Sequence, residues 1–321
     1  MKGNETMIRL RNFALFLLLL LMLGACATGE GGGLADGDGG DASEDGGSAA
    51  SGSITVGSTD FSEQLIVAEM YRGALEAAGV EAEASYNLGS REIVEPALES
   101  GDIDLYPEYV GTALEFLNGG AGEATSDTAA TAEKLQAAFD DKDITVLEPA
   151  EAQDKNAIVV TTETADEHSL EKISDLKDVA GDLVFGGPPE CPERPLCLQG
   201  LEDTYELDFA DFRSLDAGGP LTVAALEDGK IDVALMFSTQ GIIAEKGWVV
   251  LEDDKGLQPA ENLVPVIRND ATSPEIEEVL NAVSAKLTTE ELTELNRRVD
   301  VDKEDPEDVA QEWLADNGFT E

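Results

Sequence analysis

The chain has 321 residues, 42% of them hydrophobic, with 68 acidic against 20 basic side chains and a formal net charge of −48. So negative a body excludes a nucleic-acid binder or a protein held to anionic lipid by a basic face, while the apolar share excludes reading the acid excess as disorder. With one histidine, His168 in a polar surface segment, and three cysteines, there is no histidine-based catalytic triad, zinc motif or phosphate-cradling glycine loop, so no enzyme, cofactor or metal is expected.

In chain order, Lys2, Arg9 and Arg11 precede the apolar run from Phe13 to Leu23, which ends in Gly24-Ala25-Cys26. A basic region, a hydrophobic run and a small-residue cleavage site make 1–26 an export signal. The Leu23-Gly24-Ala25-Cys26 ending matches a lipobox, in which Cys26 becomes the lipidated first residue; ordinary secretory cleavage beside a stray cysteine is the other reading. Residues 27–53, mostly Gly, Asp, Ser, Ala and Glu, have almost nothing to bury and read as a flexible, self-repelling tether. The expected location is the outer face of the cytoplasmic membrane, with the chain anchored by lipid.

The folded body opens with the short strand Ile54-Thr-Val-Gly57. Asp60 and Glu63 have capping-box spacing before a helix ending at Gly79. A strand over 80–86 and a helix over 91–100 follow, then Tyr106-Pro-Glu-Tyr109, which reads as a polar turn. After a Gly-rich turn at 118–122 comes a helix over 127–140. Ala157–Thr161 is a strand crossing into a second lobe, which continues through a strand at 183–186, a helix near 199–205 and Trp248–Leu251. Leu263–Ile267 reads as the return strand, and the helices from Ser273 onward pack on the first lobe. Within the proline-rich segment 188–197, an exported setting favours a Cys191–Cys197 disulfide that stiffens the loop; a metal site is the alternative, with no histidine nearby.

Two segments are near copies: Ala97-Leu-Glu-Ser-Gly-Asp-Ile-Asp-Leu105 and Ala225-Leu-Glu-Asp-Gly-Lys-Ile-Asp-Val233. Each reads as helix end, left-handed glycine cap and buried strand. Ile54–Gly57 is answered at a similar offset by Leu183-Val-Phe-Gly186, and that offset far exceeds a solenoid period. The repeat therefore predicts an α/β fold of two similar lobes, the first over 54–155, the second over 156–263, with 264–321 returning to the first. Two crossings make a hinge, and the lobes leave a cleft. Open α/β folds place ligands at the carboxyl ends of their strands. There, five residues past Asp104 and Asp232, stand Tyr109 and Phe237. Opposed rings suit a cation; core packing is the bland alternative for each.

These segments resemble the osmoprotectant-binding proteins of ABC importers, which carry glycine betaine, choline or carnitine. The resemblance rests on Val56-Gly-Ser-Thr-Asp-Phe-Ser-Glu-Gln64, Gly101-Asp-Ile-Asp-Leu-Tyr-Pro-Glu-Tyr-Val-Gly-Thr112, Phe237-Ser-Thr-Gln-Gly241, Leu251-Glu-Asp-Asp-Lys255 and Leu287–Asn296, and it covers about 54–319. It implies a type II periplasmic-binding-protein fold, a small betaine-like ligand, and partnership with a membrane permease driven by a separate ATPase. In that family tyrosines cage the quaternary ammonium. By resemblance, Tyr109 is the first cage ring, Thr112 a hydroxyl donor, Thr59 a polar contact, Phe237 the replacement of a second-lobe tyrosine, and Arg194 the carboxylate-binding arginine; an ordinary surface arginine is the other reading of Arg194. The chain departs from the family at Asn156 and at the segment ending in Asn262, where cage tyrosines are expected. Asn156 and Asn262 then stand as hydrogen-bond partners of the ligand. The alternatives are a different small solute such as an amino acid, or an acidic adhesion or sensor lipoprotein.

Overall fold

The computed structural model describes residues 52–320; the export segment, Cys26 and all but the last two residues of the expected tether lie outside the described residues. The elements run β1 (Ile54–Gly57), α1 (Ser62–Ala77), β2 (Ala82–Ser85), α2 (Arg91–Ser100), β3 (Leu105–Tyr109), α3 (Val110–Leu117), α4 (Thr128–Phe139) and β4 (Ile144–Val146). They continue with β5 (Asn156–Val160), α5 (Thr162–His168), β6 (Val184–Gly187), α6 (Leu198–Tyr205), β7 (Asp211–Ser214), α7 (Pro220–Glu227), β8 (Val233–Phe237), α8 (Gly241–Lys246) and β9 (Val249–Val250). The chain closes with β10 (Leu263–Arg268), α9 (Pro274–Ser284), α10 (Thr289–Asp300) and α11 (Pro306–Asp316).

Two five-stranded sheets result, ordered β2-β1-β3-β10-β4 and β7-β6-β8-β5-β9. In each, three strands run parallel and a fourth lies antiparallel beside the third, β10 against β3 and β5 against β8. Both faces of both sheets are covered. In β5, Ile158 and Val160 join one buried cluster while Ala157 and Val159 join another, as alternation demands of a strand sandwiched between helices. In the first lobe, α9, α10 and α11 gather around α1 through Ile66, Met70, Leu280, Leu292 and Trp313; each such side chain contributes about 1.5–3 kcal/mol by leaving water.

The repeat has a physical cause. Gly101 and Gly229 turn the chain with φ of +79° and +62°, a conformation that favours glycine. The aspartate after each turn then clamps a neighbouring strand. Asp104 accepts the Thr55 N–H at 2.9 Å and donates its own N–H to the Thr55 carbonyl; Asp232 does the same to Val184, accepting its N–H at 2.8 Å. The isoleucines between fill the space left by glycines near the ends of β1 and β6. A Cβ on Gly57 would lie 2.4 Å from Ile103 Cδ1, and one on Gly186 would lie 2.6 Å from Ile231 Cδ1.

Two local expectations are corrected. Tyr106-Pro-Glu-Tyr109 is no polar turn but part of β3, buried along its whole length. Pro107 and Pro265 pair directly, so the prolines' missing donors fall on a single rung of the ladder. Nor do Asp60 and Glu63 cap α1. Phe61 is the N-cap, with no side-chain cap, because burial takes Glu63 into a network between the lobes.

Candidate functional site

A cleft of about 650 Å³ opens between the lobes, where β3 and β8 end in Tyr109 and Phe237, a volume suited to a small molecule. The two rings do not face each other across a gap. Phe61, from the β1–α1 turn, bridges them, stacking on Phe237 with centroids 5.1 Å apart and on Tyr109 at 6.4 Å, with interplanar angles of 24° and 18°. Its extended backbone, φ −129° and ψ 158°, turns it away from the helix it caps. The wall is therefore a row of three aromatics, one of them absent from the sequence reading. Phe61 was accessible to the same strand-end rule, since it follows β1 as Tyr109 ends β3.

Of the residues singled out by resemblance, Thr59, Tyr109, Thr112, Asn156, Arg194 and Phe237 all line the cleft. Their hydrogen-bonding capacity differs. The Thr59 hydroxyl is buried without a partner. Thr112, by contrast, accepts from Arg91 Nη2 at 2.8 Å and donates to Glu261 Oε2 at 3.3 Å, so its hydroxyl proton is engaged by the segment that enters β10. Asn156 donates to the Leu196 carbonyl at 2.9 Å. Asn262 does not line the cleft; its amide donates to the Ala150 and Glu151 carbonyls and accepts from the Thr128 hydroxyl at 2.7 Å. It ties the buried segment entering β10 to Thr128 at the start of α4 and to the stretch between β4 and β5.

Arg194 is held as an ion pair across the cleft mouth. Its Nη2 lies 3.0 and 2.8 Å from the two Glu92 carboxylate oxygens and its Nε 3.2 Å from one of them, with Glu190 also at 3.3 Å. Glu92 comes from α2 of the first lobe, so this contact joins the lobes. Partial burial pushes the Glu92 carboxyl up, but the hydrogen bonds from Arg194 and Ser90 outweigh it and hold it at about 2. The loop carrying Arg194 is closed by the Cys191–Cys197 disulfide, and Pro195 packs against Gly120 of the first lobe.

Charge decides what the cleft attracts. Its lining holds nine carboxylates and two guanidiniums, and both guanidiniums are neutralised, Arg194 by Glu92 and Arg91 by Glu108 at 2.6 and 2.7 Å. Burial pushes the Glu261 carboxyl up to about 8 against the hydrogen bonds from Thr112 and the charge of Arg91, and its Oε1 has no partner. Burial and the charge of Glu63 raise Asp154 as well. Carboxylates crowded at low dielectric are relieved by a cation.

Residues 52–316 match the family model described as the substrate binding domain of ABC-type glycine betaine transport systems. The glycine betaine-binding protein YehZ of Escherichia coli is 27% identical over 278 residues, spanning 83% of this chain and 91% of its own length. The carnitine transport binding protein OpuCC of Listeria monocytogenes is 27% identical over 274 residues, spanning 84% and 88%. A crystal structure of a glycine betaine/carnitine/choline ABC transporter superposes with a TM-score of 0.65 at 30% identity, covering 83% of this chain and 99% of that one. The two-lobed arrangement is the type II periplasmic-binding-protein fold.

Proposed function

The chain belongs to the family of substrate-binding domains of ABC-type glycine betaine transport systems, and from that premise we propose that it captures a small quaternary-ammonium osmoprotectant between its lobes and delivers it to a membrane permease served by a separate ATPase. It performs no chemistry on the solute. It works outside the cytoplasmic membrane, tethered through a lipid on Cys26.

The observation that carries the ligand class is the aromatic row Tyr109–Phe61–Phe237 set in a cleft where, among the described residues, both lining guanidiniums are already paired. Aromatic faces attract a desolvated quaternary ammonium by about 0.5–2 kcal/mol each, and unpaired carboxylates add long-range attraction. The free Thr59 hydroxyl supplies a hydrogen bond to a ligand oxygen. A zwitterion such as glycine betaine is the second reading, supported by Arg194 at the mouth; its carboxylate has to displace Glu92 from the guanidinium.

Calorimetric titration of the folded body with choline, glycine betaine, carnitine and a panel of amino acids tests this. Choline is expected to bind more tightly than glycine betaine, and Glu92→Gln to shift the ratio toward betaine by about tenfold, one charge-assisted contact. Tight binding of an amino acid with no response to any quaternary ammonium would replace the proposal.

A further inference from the structure

Behind the aromatic wall lies a polar knot that the ligand reading does not use. Glu63, on the first turn of α1 and 3% exposed, accepts the Tyr109 hydroxyl at 2.7 Å on Oε1, and the Thr239 hydroxyl and Asn296 Nδ2 at 2.6 Å each on Oε2. Tyr109 is the cleft wall of the first lobe. Thr239, fully buried, follows β8 in the second lobe, and Asn296 sits on α10. Thr239 is fixed in turn by its N–H to Asp154 Oδ1 at 3.1 Å, in the connection between the lobes.

We propose that Glu63 is a positioning residue for solute capture: one buried carboxylate that binds the Tyr109 wall and the second-lobe residue Thr239 at once, so that closure of the lobes and the set of the ligand-facing ring depend on the same group. The proposal rests on the reading of the cleft as the solute site. Three donors converge on two carboxylate oxygens, which suits the acceptor-only ionised form. Opening the lobes removes the Thr239 donor and leaves a buried charge under-satisfied, a costly state. Protonation has a related effect, because one oxygen becomes a donor and faces donors already in place. The groups acting on Glu63 are Tyr109 from β3, Thr239 after β8, and Asn296 and Asp300 from α10, with the like charge of Asp154 facing it from the inter-lobe connection. Burial, and secondarily Asp300, raises its carboxyl above the ordinary range despite the three hydrogen bonds. Ligand grip therefore weakens as pH falls through that raised range.

The probe is choline. Thr239→Val, which deletes one hydroxyl at nearly constant volume, is expected to speed choline release about tenfold, the size of a lost hydrogen bond to a charged acceptor. Glu63→Gln is expected to flatten the fall in choline affinity as pH is lowered from neutral toward the ordinary carboxylate range, a readout that a packing role would leave in place; Asp154→Asn measures the share of that slope owed to its neighbour. Wild-type release in Thr239→Val overturns the proposal, whether or not Glu63→Gln folds, and so does an unaltered pH profile in a folded Glu63→Gln. If the wild-type protein binds no quaternary ammonium, the ligand reading has failed and the clasp is judged by X-ray scattering: a larger ligand-free radius of gyration in Thr239→Val supports it, an equal one overturns it.

Discussion

Thr112 and Arg194 carry the hydroxyl and the guanidinium that a bound carboxylate requires, yet each is engaged by an acidic neighbour, Glu261 and Glu92. What a side chain offers a ligand is its capacity left over after folding, and in this cleft the leftovers are Thr59, the uncovered surface of the stacked aromatic row and carboxylates. Glu261 also sets a pH dependence. Its folded carboxyl titrates near 8, above the value of about 4.3 in an unfolded chain, so between those values the folded state holds the extra proton. Its contribution to stability is intact below about pH 4.3 and is lost at up to about 1.4 kcal/mol per pH unit as pH rises toward 8. Glu261→Gln is expected to remove that slope, gaining stability at pH 8 relative to wild type and little at pH 4; parallel denaturation curves for the two proteins across the range would disprove it.

At the scale of elements, the repeat is a pair of glycine-for-isoleucine fits. Gly57→Ala is expected to cost about 1–3 kcal/mol by overpacking against Ile103, and Ile103→Val alone about 0.5–1.5 kcal/mol. Because valine lacks the Cδ1 atom that lies 2.4 Å from the new methyl, the double variant should be more stable than the two single costs added together, and simple additivity in chemical denaturation would refute the fit. The helices α2, α4 and α6 were legible within about a residue because their caps and apolar spacing are local. The start of β3 was legible in the repeat, but its continuation over 106–109 was not, since Pro107 and Glu108 look like a turn until Pro265 and Arg91 lie beside them. The capping box at Asp60 and Glu63 misled for the converse reason: a local motif lost its acid to a partner far along the chain.

For the whole molecule, a net charge of −48 means self-repulsion that salt should relieve. The screening length falls from about 10 Å at 0.1 M to about 3 Å at 1 M, so the melting temperature is expected to rise between those concentrations. A flat or falling melting temperature would show that the ion pairs lost to screening matter as much as the repulsion relieved. The same acidity is carried into the cleft, so choline affinity should fall as salt rises even while the fold gains stability.

The sequence by itself determined that there are two lobes of one plan and that a ligand belongs at the ends of their repeated strands, because a glycine cap, an aspartate clamp and an isoleucine plug are written within a few residues of one another. Only the tertiary structure decided which of the candidate side chains remain free. Glu92 meets Arg194 across 102 positions, Glu261 meets Thr112 across 149 and Glu63 meets Thr239 across 176. Partnerships at such separations leave no local pattern, since the chain fold alone brings the two groups within a hydrogen bond of each other.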